Sequence, residues 1–496
     1  MIAAIATPVG NGGIGIIRVS GEDAVSVVHP IYCNRKKEHT LIQYQTHTIH
    51  YGFICDGSDI VDEVMVSVMK APHTYTKEDT VEINCHGGIY IMNRILSLVL
   101  AHGARLAEPG EFTKRAFLNG RIDLAEAEAV MDILRSQNDL ALKASMAQLR
   151  GSVSVKIKEI RAGILHEIAF IESALDDPEH ISLDGYPEQL SAKIKRLSDD
   201  CMYLIRSADQ GKIVREGIRT VIVGKPNAGK SSLLNLLLGE EKAIVTDIAG
   251  TTRDALEESL TIGGVQLHIV DTAGIRDTRD KVEKIGVERA KSYAADADLL
   301  IYVVDSSVPL DENDEEILPL LQNKKVIVLM NKSDLESVIT ENELKDAITT
   351  GSFRTEKREK HTEKEKKHEN EGNPAGSQKQ DFAIIKTSTA ASSFSSDSAF
   401  IKSGMQELEE QIRQMFIDGD ISANSEVMIT NIRHKEGLME AYDSLQQVMQ
   451  SIAAGMPEDF YSIDLMSAYS SLGRIIGEEV GDDLVNEIFS KFCMGK

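Results

Sequence analysis

The chain has 496 residues but no tryptophan, and only 5% of it is aromatic. Its five cysteines, Cys33, Cys55, Cys85, Cys201 and Cys493, are odd in number and form no CxxC pair. That argues against a disulfide framework and against a thiolate zinc site. Cys33, Cys55, Cys85 and Cys201 are expected to be small buried hydrophobes. No apolar run approaches the roughly 18 residues that a spanning helix needs. The opening MIAAIATPVGNGGIG has no basic start and is broken by Pro and Gly, so no secretory leader is expected and the cytoplasm is the expected compartment. A surplus of positive charge is also missing: 54 basic residues face 78 acidic ones, a net charge of −24. A chain that grips nucleic acid unaided carries the opposite balance.

The acidity is uneven. Residues 1–121 carry 11 Lys/Arg against 12 Asp/Glu, and residues 122–216 carry 12 against 17. Residues 217–418 carry 26 against 36, and residues 419–496 carry 5 against 13. The texture changes along with the charge. Residues 1–121 read as mixed α/β, with β-rich runs at Ile14–Val19, Val61–Met69 and Thr80–Cys85 and a helical pattern from Ile89 to about Ala101. From Ile122 apolar residues recur every three to four positions, and long helices are expected over 152–176 and 188–215. Strand–loop–helix alternation begins at Ile218, with the apolar strands IRTVIVG, VQLHIVD, DLLIYVVD and KVIVLMN, and helices return from about 425 to 492. Residues 351–381 hold 8 basic and 7 acidic residues and one large apolar residue, Phe353. Such a segment cannot bury enough apolar surface to order itself, and it is expected to be a solvated insertion.

Gly224-Lys225-Pro226-Asn227-Ala228-Gly229-Lys230-Ser231 fits G-x-x-x-x-G-K-[ST], after the strand Thr220–Val223 and before an apolar helix. Glycines there let backbone N–H groups close on phosphates, and the helix N-terminus adds a favourable dipole. Lys230 is placed to reach the β/γ-phosphates, and the Ser231 hydroxyl to ligate Mg²⁺. Downstream, Asp271-Thr272-Ala273-Gly274 ends a strand, where the Asp can hold Mg²⁺ through water and the Gly N–H can sense a γ-phosphate. Asn331-Lys332-Ser333-Asp334 reads guanine: the carboxylate accepts from N1 and N2, so the three motifs together specify GTP over ATP. Thr251 and Thr252 are candidates for the switch threonine that completes the Mg²⁺ shell. Ile275 occupies the position after DxxG at which Ras-like GTPases place a water-orienting Gln. No arginine finger is identifiable; Arg253 and Arg276 are nearby. Asn227 and the loop around Gly250 offer oxygens for a monovalent cation that would do the work of such a finger.

The chain resembles the MnmE (TrmE) tRNA-modification GTPase family over nearly everything except 335–403. The resemblance rests on ATPVGNGGIGIIRVSG, VEINCHGG, PGEFTKRAFLNGRIDLAEAEA, GKPNAGKSSLLN, VTDIAGTTRD, DTAGIR and the terminal CMGK. It implies a multidomain α/β plus all-α architecture. An N-terminal α/β folate-binding and dimerisation domain occupies 1–121. A discontinuous helical domain occupies 122–216 and 419–496, and a Ras-like P-loop GTPase domain, 217–418, is inserted into it. It implies a homodimer acting with an FAD-dependent MnmG/GidA-type protein in a heterotetramer that engages tRNA, with no membrane. The implied chemistry installs an aminomethyl or carboxymethylaminomethyl group at C5 of the wobble uridine. The carbon comes from 5-formyltetrahydrofolate or a related folate. GTP hydrolysis is expected to be potassium-stimulated and driven by G-domain dimerisation.

The resemblance also assigns residues. GTP is implied at Asn227, Ala228, Gly229, Lys230, Ser231 and Ser232, and at Thr246, Asp247, Ile248, Ala249, Gly250, Thr251 and Thr252. Its other implied contacts are Asp271, Thr272, Ala273, Gly274, Asn331, Lys332, Asp334 and Ser388. Potassium is implied at Asn227, Thr246, Ile248 and Thr251, and magnesium at Ser231 and Thr252. The water-orienting carboxylate falls on Glu283, which on sequence alone is a helix-surface charge. Folate contacts fall on Arg18, Glu82, Arg121 and Lys496. Cys493 has two readings: a catalytic thiolate near the folate, favoured by Lys496, or a flexible tail thiol. The loop Lys386-Thr387-Ser388-Thr389-Ala390 departs from the family's Ser-Ala pair. Two other functions compete. One is a regulatory GTPase of ribosome assembly, which would lack FLNGRIDLAEAEA and a terminal CxGK. The other is a GTP-gated scaffold whose partner does all the catalysis.

Overall fold

The structure is a computed structural model that describes residues 1–239, 257–271, 293–352, 382–388, 398–416, 427–493 and 495. The chain divides into two compact units. The first comprises Met1–Arg135, Ala144–Arg206 and Asn431–Lys496; the second comprises Ser136–Lys143 and Ser207–Thr430.

The first unit opens with a seven-stranded sheet. Its strands are β1 (Ile2–Ile5), β2 (Gly12–Ser20), β3 (Tyr32–Cys33), β4 (Thr48–Asp56), β5 (Asp59–Met69), β6 (Thr80–Gly87) and β7 (Arg105–Leu106), in the order β3-β4-β5-β6-β2-β1-β7. All pairings are antiparallel except β1 with β7. Alternation does the sorting. In β5, Val64, Val66 and Val68 point into the core while Glu63 and Met65 are exposed. The helix Ile89–Ala101 buries Met92, Ile95 and Val99 in the same core. Cys33 and Cys85 are buried here, as Cys201 is elsewhere, but Cys55 is only half-buried, which corrects the expectation for it. It lies in β4 close to the sheet edge, since β3, the terminal strand, has only two residues to cover it.

Helices make up the rest of this unit. Glu458–Ile476 packs against both Ser152–Asp176 and Ile432–Ala453, so early and late chain segments share one bundle. Its buried Tyr461, Leu465, Ala468 and Leu472 follow the three-to-four spacing of a helix face. The tie between the segments is polar as well as apolar. Glu128, in the helix Leu124–Arg135, accepts from Arg433 Nε at 3.0 Å, Arg433 Nη2 at 2.7 Å and bonds His434 Nε2 at 2.7 Å.

The second unit has a six-stranded sheet of β8 (Ile218–Val223), β9 (Glu257–Ile262), β10 (Val265–Asp271), β11 (Leu299–Asp305), β12 (Lys325–Asn331) and β13 (Phe382–Lys386). Their order is β13-β12-β11-β8-β10-β9, parallel throughout except for the β9–β10 hairpin. Every residue of β11 is buried, as expected of a parallel strand covered on both faces. Leu408, Ile412 and Phe416 of the helix Ser398–Phe416 join the core on one face, and Leu344, Ala347 and Ile348 of Glu341–Thr350 the core on the other. Strand β8 lies between β11 and β10, so the chain departs from it to both sides. Ligands of doubly wound sheets bind at that switch point, outside the carboxyl ends of the strands.

Candidate functional site

The phosphate loop leaves β8 at this switch point. Gly224 has φ +156°, and a Cβ there would lie 2.4 Å from the Val303 carbonyl oxygen, so the loop starts where only glycine fits. Asn227 and Gly229 also have positive φ, +62° and +105°. The helix Lys230–Gly239 begins immediately afterwards, with Ser231 and Ser232 exposed in its first turn. Lys230 Nζ donates to the carbonyls of Gly224 at 2.7 Å and Lys225 at 2.9 Å, which holds the ammonium over the loop. This cradle suits an anion bound by backbone N–H groups, with the hydroxyl-bearing Ser231, expected to ligate magnesium, exposed beside it.

The loop of residues 331–334 is stitched to the phosphate loop. Buried Asn331 donates from Nδ2 to the Ala228 carbonyl at 2.8 Å. Lys332, at φ +60°, places Nζ 2.5 Å from Asp305 Oδ2. Burial opposes ionisation of Asp305, yet the bonds from Lys332 and Ser307 win and hold its carboxyl below the usual range. Ser333 donates through N and Oγ to the Thr387 carbonyl, at 3.1 and 2.6 Å. Ser388 donates from Oγ to Asp334 Oδ1 at 2.6 Å. The loop after β13 therefore backs the Asp334 carboxylate, expected to read guanine, through Ser388. The main chain of Asp271 ends β10 beside Ile222 of β8. Thr246, Asp247, Ile248, Ala249, Gly250, Thr251, Thr252, Thr272, Ala273, Gly274, Ile275, Glu283 and the segment 353–381 lie outside the described residues.

A second polar site lies in the first unit. Arg18 Nε pairs with Glu82 Oε1 at 2.8 Å across β2 and β6, where the two residues are register partners. The Arg18 guanidinium stands 5.8 Å from the Tyr75 ring and Arg121's stands 4.6 Å from it. Two expected folate residues thus converge on Tyr75, with a third, Glu82, held against Arg18; Tyr75 itself was not among the expected residues. Its signal was the one aromatic residue of the polar stretch PHTYTKED. Tyr75, Arg121, Lys77 and His73 line a pocket of about 470 Å³ with Met69, Pro72 and Thr74. An aromatic wall with the Arg121 guanidinium in the lining, and the Arg18 guanidinium near the same ring, suits a flat ring carrying a carboxylate tail.

The chain terminus reaches this site. Arg18 Nη1 donates to the Gly495 carbonyl at 3.3 Å. Gly495 is buried at φ +85°, and a Cβ on it would lie 2.6 Å from the Ile5 carbonyl oxygen. Gly110 N donates to the Cys493 carbonyl at 3.3 Å, while Cys493 itself is exposed. Lys496 lies outside the described residues.

The model of the MnmE helical domain matches residues 124–493, and that of the GTP-binding protein TrmE N-terminus matches residues 1–121. The chain belongs to the MnmE family. A protein of Lachnoclostridium phytofermentans named tRNA modification GTPase MnmE is 51% identical to this chain, covering 100% of it and 99% of its relative. Proteins of the same name from Staphylococcus epidermidis and Lacticaseibacillus paracasei are 43% and 45% identical, each over 100% of this chain and 99% and 98% of their own. Among solved structures, the G domain of the T. maritima FeoB iron transporter aligns with 40% of this chain and 97% of its own at 25% identity and a TM-score of 0.24. Among the described residues, no helix is long and apolar enough to cross a membrane.

Proposed function

We propose that this chain is a GTP hydrolase acting in tRNA modification. With an FAD-dependent MnmG/GidA-type partner it installs an aminomethyl or carboxymethylaminomethyl group at C5 of the wobble uridine (position 34) of certain tRNAs, using carbon from 5-formyltetrahydrofolate or a related folate. The observation that carries this reading is the convergence of Arg18 and Arg121 on Tyr75, with the Gly495 carbonyl bound to Arg18, in a chain whose phosphate loop is also bonded to the loop of residues 331–334. A regulatory GTPase needs only the second of these.

In this reading Asn227, Thr246, Ile248 and Thr251 hold potassium, Ser231 and Thr252 hold magnesium, and Glu283 orients water. Cys493 supplies a thiol to the modification chemistry. The chain works as a cytoplasmic homodimer in a heterotetramer with its partner. Its net charge of −24 supports leaving most phosphate neutralisation on tRNA to that partner. Nucleoside mass spectrometry of tRNA after depletion of the protein tests the reading. Loss of the modified wobble uridine is expected, and Cys493→Ser should reproduce it with GTP turnover retained. Unchanged tRNA would favour a ribosome-assembly GTPase.

A further inference from the structure

The phosphate loop contains two lysines, and the second, Lys225, is not placed as a phosphate ligand. Its side chain is 7% exposed and turns away into a polar nest. Nζ donates to the Pro309 carbonyl at 3.1 Å, to Asp311 Oδ2 at 3.3 Å and to Asp314 Oδ2 at 3.0 Å. Asp314 has no exposed surface and its two oxygens are fully engaged. Oδ1 accepts from the Tyr302 hydroxyl at 2.8 Å, and Oδ2 also accepts from Asp311 N at 3.0 Å. Tyr302 lies in β11, beside β8, from which the phosphate loop springs. The lysine's main chain is held as well: its carbonyl accepts from Lys230 Nζ at 2.9 Å and from Ala228 N at 3.3 Å.

Lys225 is thus fixed at both ends. A carboxylate with no access to water grips the ammonium, and the carbonyl orients the residues that carry the phosphate-binding N–H groups. We infer that Asp314, acting through Lys225, is a positioning residue for the phosphate loop: the pair presets the loop for the β-phosphate of a guanine nucleotide. Preorganised donors strengthen binding because no reorganisation is left to the bound state. An unpaired charge in the same nest would pull the loop out of shape to reach water. Burial alone would drive the Lys225 proton off; the bonds to Asp314 and Asp311 outweigh it and keep the ammonium charged.

This inference rests on the GTPase reading, so the test separates the two. Full-length native chain, Asp314→Asn, Lys225→Met, Lys225→Arg and Asp311→Asn are titrated calorimetrically with GDP and with GMP. The native chain should prefer GDP, and that ratio reports the β-phosphate contact alone. Asp314→Asn and Lys225→Met should cut the ratio about tenfold while GMP affinity stays within about twofold. Lys225→Arg should restore most of the ratio. Asp311, with its side chain 48% exposed, can be changed with little risk to folding, and Asp311→Asn should cut the ratio about threefold. A native ratio in the folded variants overturns the inference, as does an equal loss for both ligands. Failure of the native chain to bind GDP overturns the nucleotide reading and this inference with it.

Discussion

Ser388 Oγ donates to Asp334 Oδ1 at 2.6 Å, across 54 residues of sequence. The bond ties the loop after β13 to the loop after β12 and occupies one carboxylate oxygen. In the proposed reading the carboxylate accepts from the N1–H and N2–H donors of guanine. Asp334→Asn keeps an oxygen that accepts from N1–H but turns an NH2 toward the N2–H donor, an arrangement that matches a base with a carbonyl at C2 instead. GTP affinity should fall about 10- to 100-fold, the loss of one or two charge-assisted bonds, while xanthosine triphosphate gains. Competition binding with the two triphosphates decides it. Parallel losses for both would show that the carboxylate does not read the base.

Ser388→Ala should act on the same carboxylate indirectly. Asp334 is exposed, so losing one hydroxyl donor costs about 1 kcal/mol or less, a factor of about five in GTP affinity. The preference for GTP over xanthosine triphosphate should persist, because the acceptor itself is intact. A reversal of preference in Ser388→Ala would mean that the serine, and not Asp334, contacts the base.

Potassium dependence tests the cation reading. Asn227 sits at φ +62°, a conformation that asparagine tolerates better than most residues, and it is exposed. GTP turnover in KCl should exceed turnover in NaCl at equal ionic strength, and Asn227→Ala should remove the difference. Equal rates in the two salts for the native chain would reject the potassium site.

The sequence carried the second unit well because parallel strands read as uninterrupted apolar runs, and four of the six strands were legible that way. β9 and β13 were not: both are edge strands, and β9, EESLTI, has no uninterrupted apolar run. In the first unit β4 escaped notice because its outward Ile49 and Tyr51 are exposed, so the strand lacks the polar half of the alternation. The two longest helices were legible within two residues at either end. Motifs marked the residues that face a ligand, but not those that hold them. Lys225 and Asp314 are 89 positions apart, and nothing local announces their pairing. Tyr75 stayed hidden for the same reason: its role appears only when β2 brings Arg18 alongside it.

Arg18 should matter to folate and to nothing in the nucleotide site. It bonds Glu82 and the Gly495 carbonyl and faces Tyr75, so Arg18→Ala removes a charge partner and an anchor for the terminus together. Affinity for 5-formyltetrahydrofolate should fall about 10- to 100-fold. GDP affinity, measured on the same preparation, is the control. Native folate affinity in Arg18→Ala would place the folate elsewhere.

Acid should loosen the bundle through Glu128. Burial raises its pKa, but His434 and Arg433 outweigh burial and bring it to about 2, below the ordinary 4.5. A carboxyl that titrates lower in the folded chain favours folding at every pH above its unfolded value. The contribution, about 3 kcal/mol by linkage, is complete above pH 4.5 and is lost as pH falls toward 2. At neutral pH Glu128→Gln removes the charge facing Arg433 and His434, leaving the guanidinium bonded only to neutral acceptors, and should cost about 3 kcal/mol. Urea unfolding of the native chain and the variant, at pH 7 and at pH 3, checks both statements. The gap between them should narrow at the lower pH, since the native glutamate is then giving up its advantage. A gap that stays constant would mean that Glu128 contributes packing alone, and that the two chain segments are joined by their apolar faces without help from the ion pair.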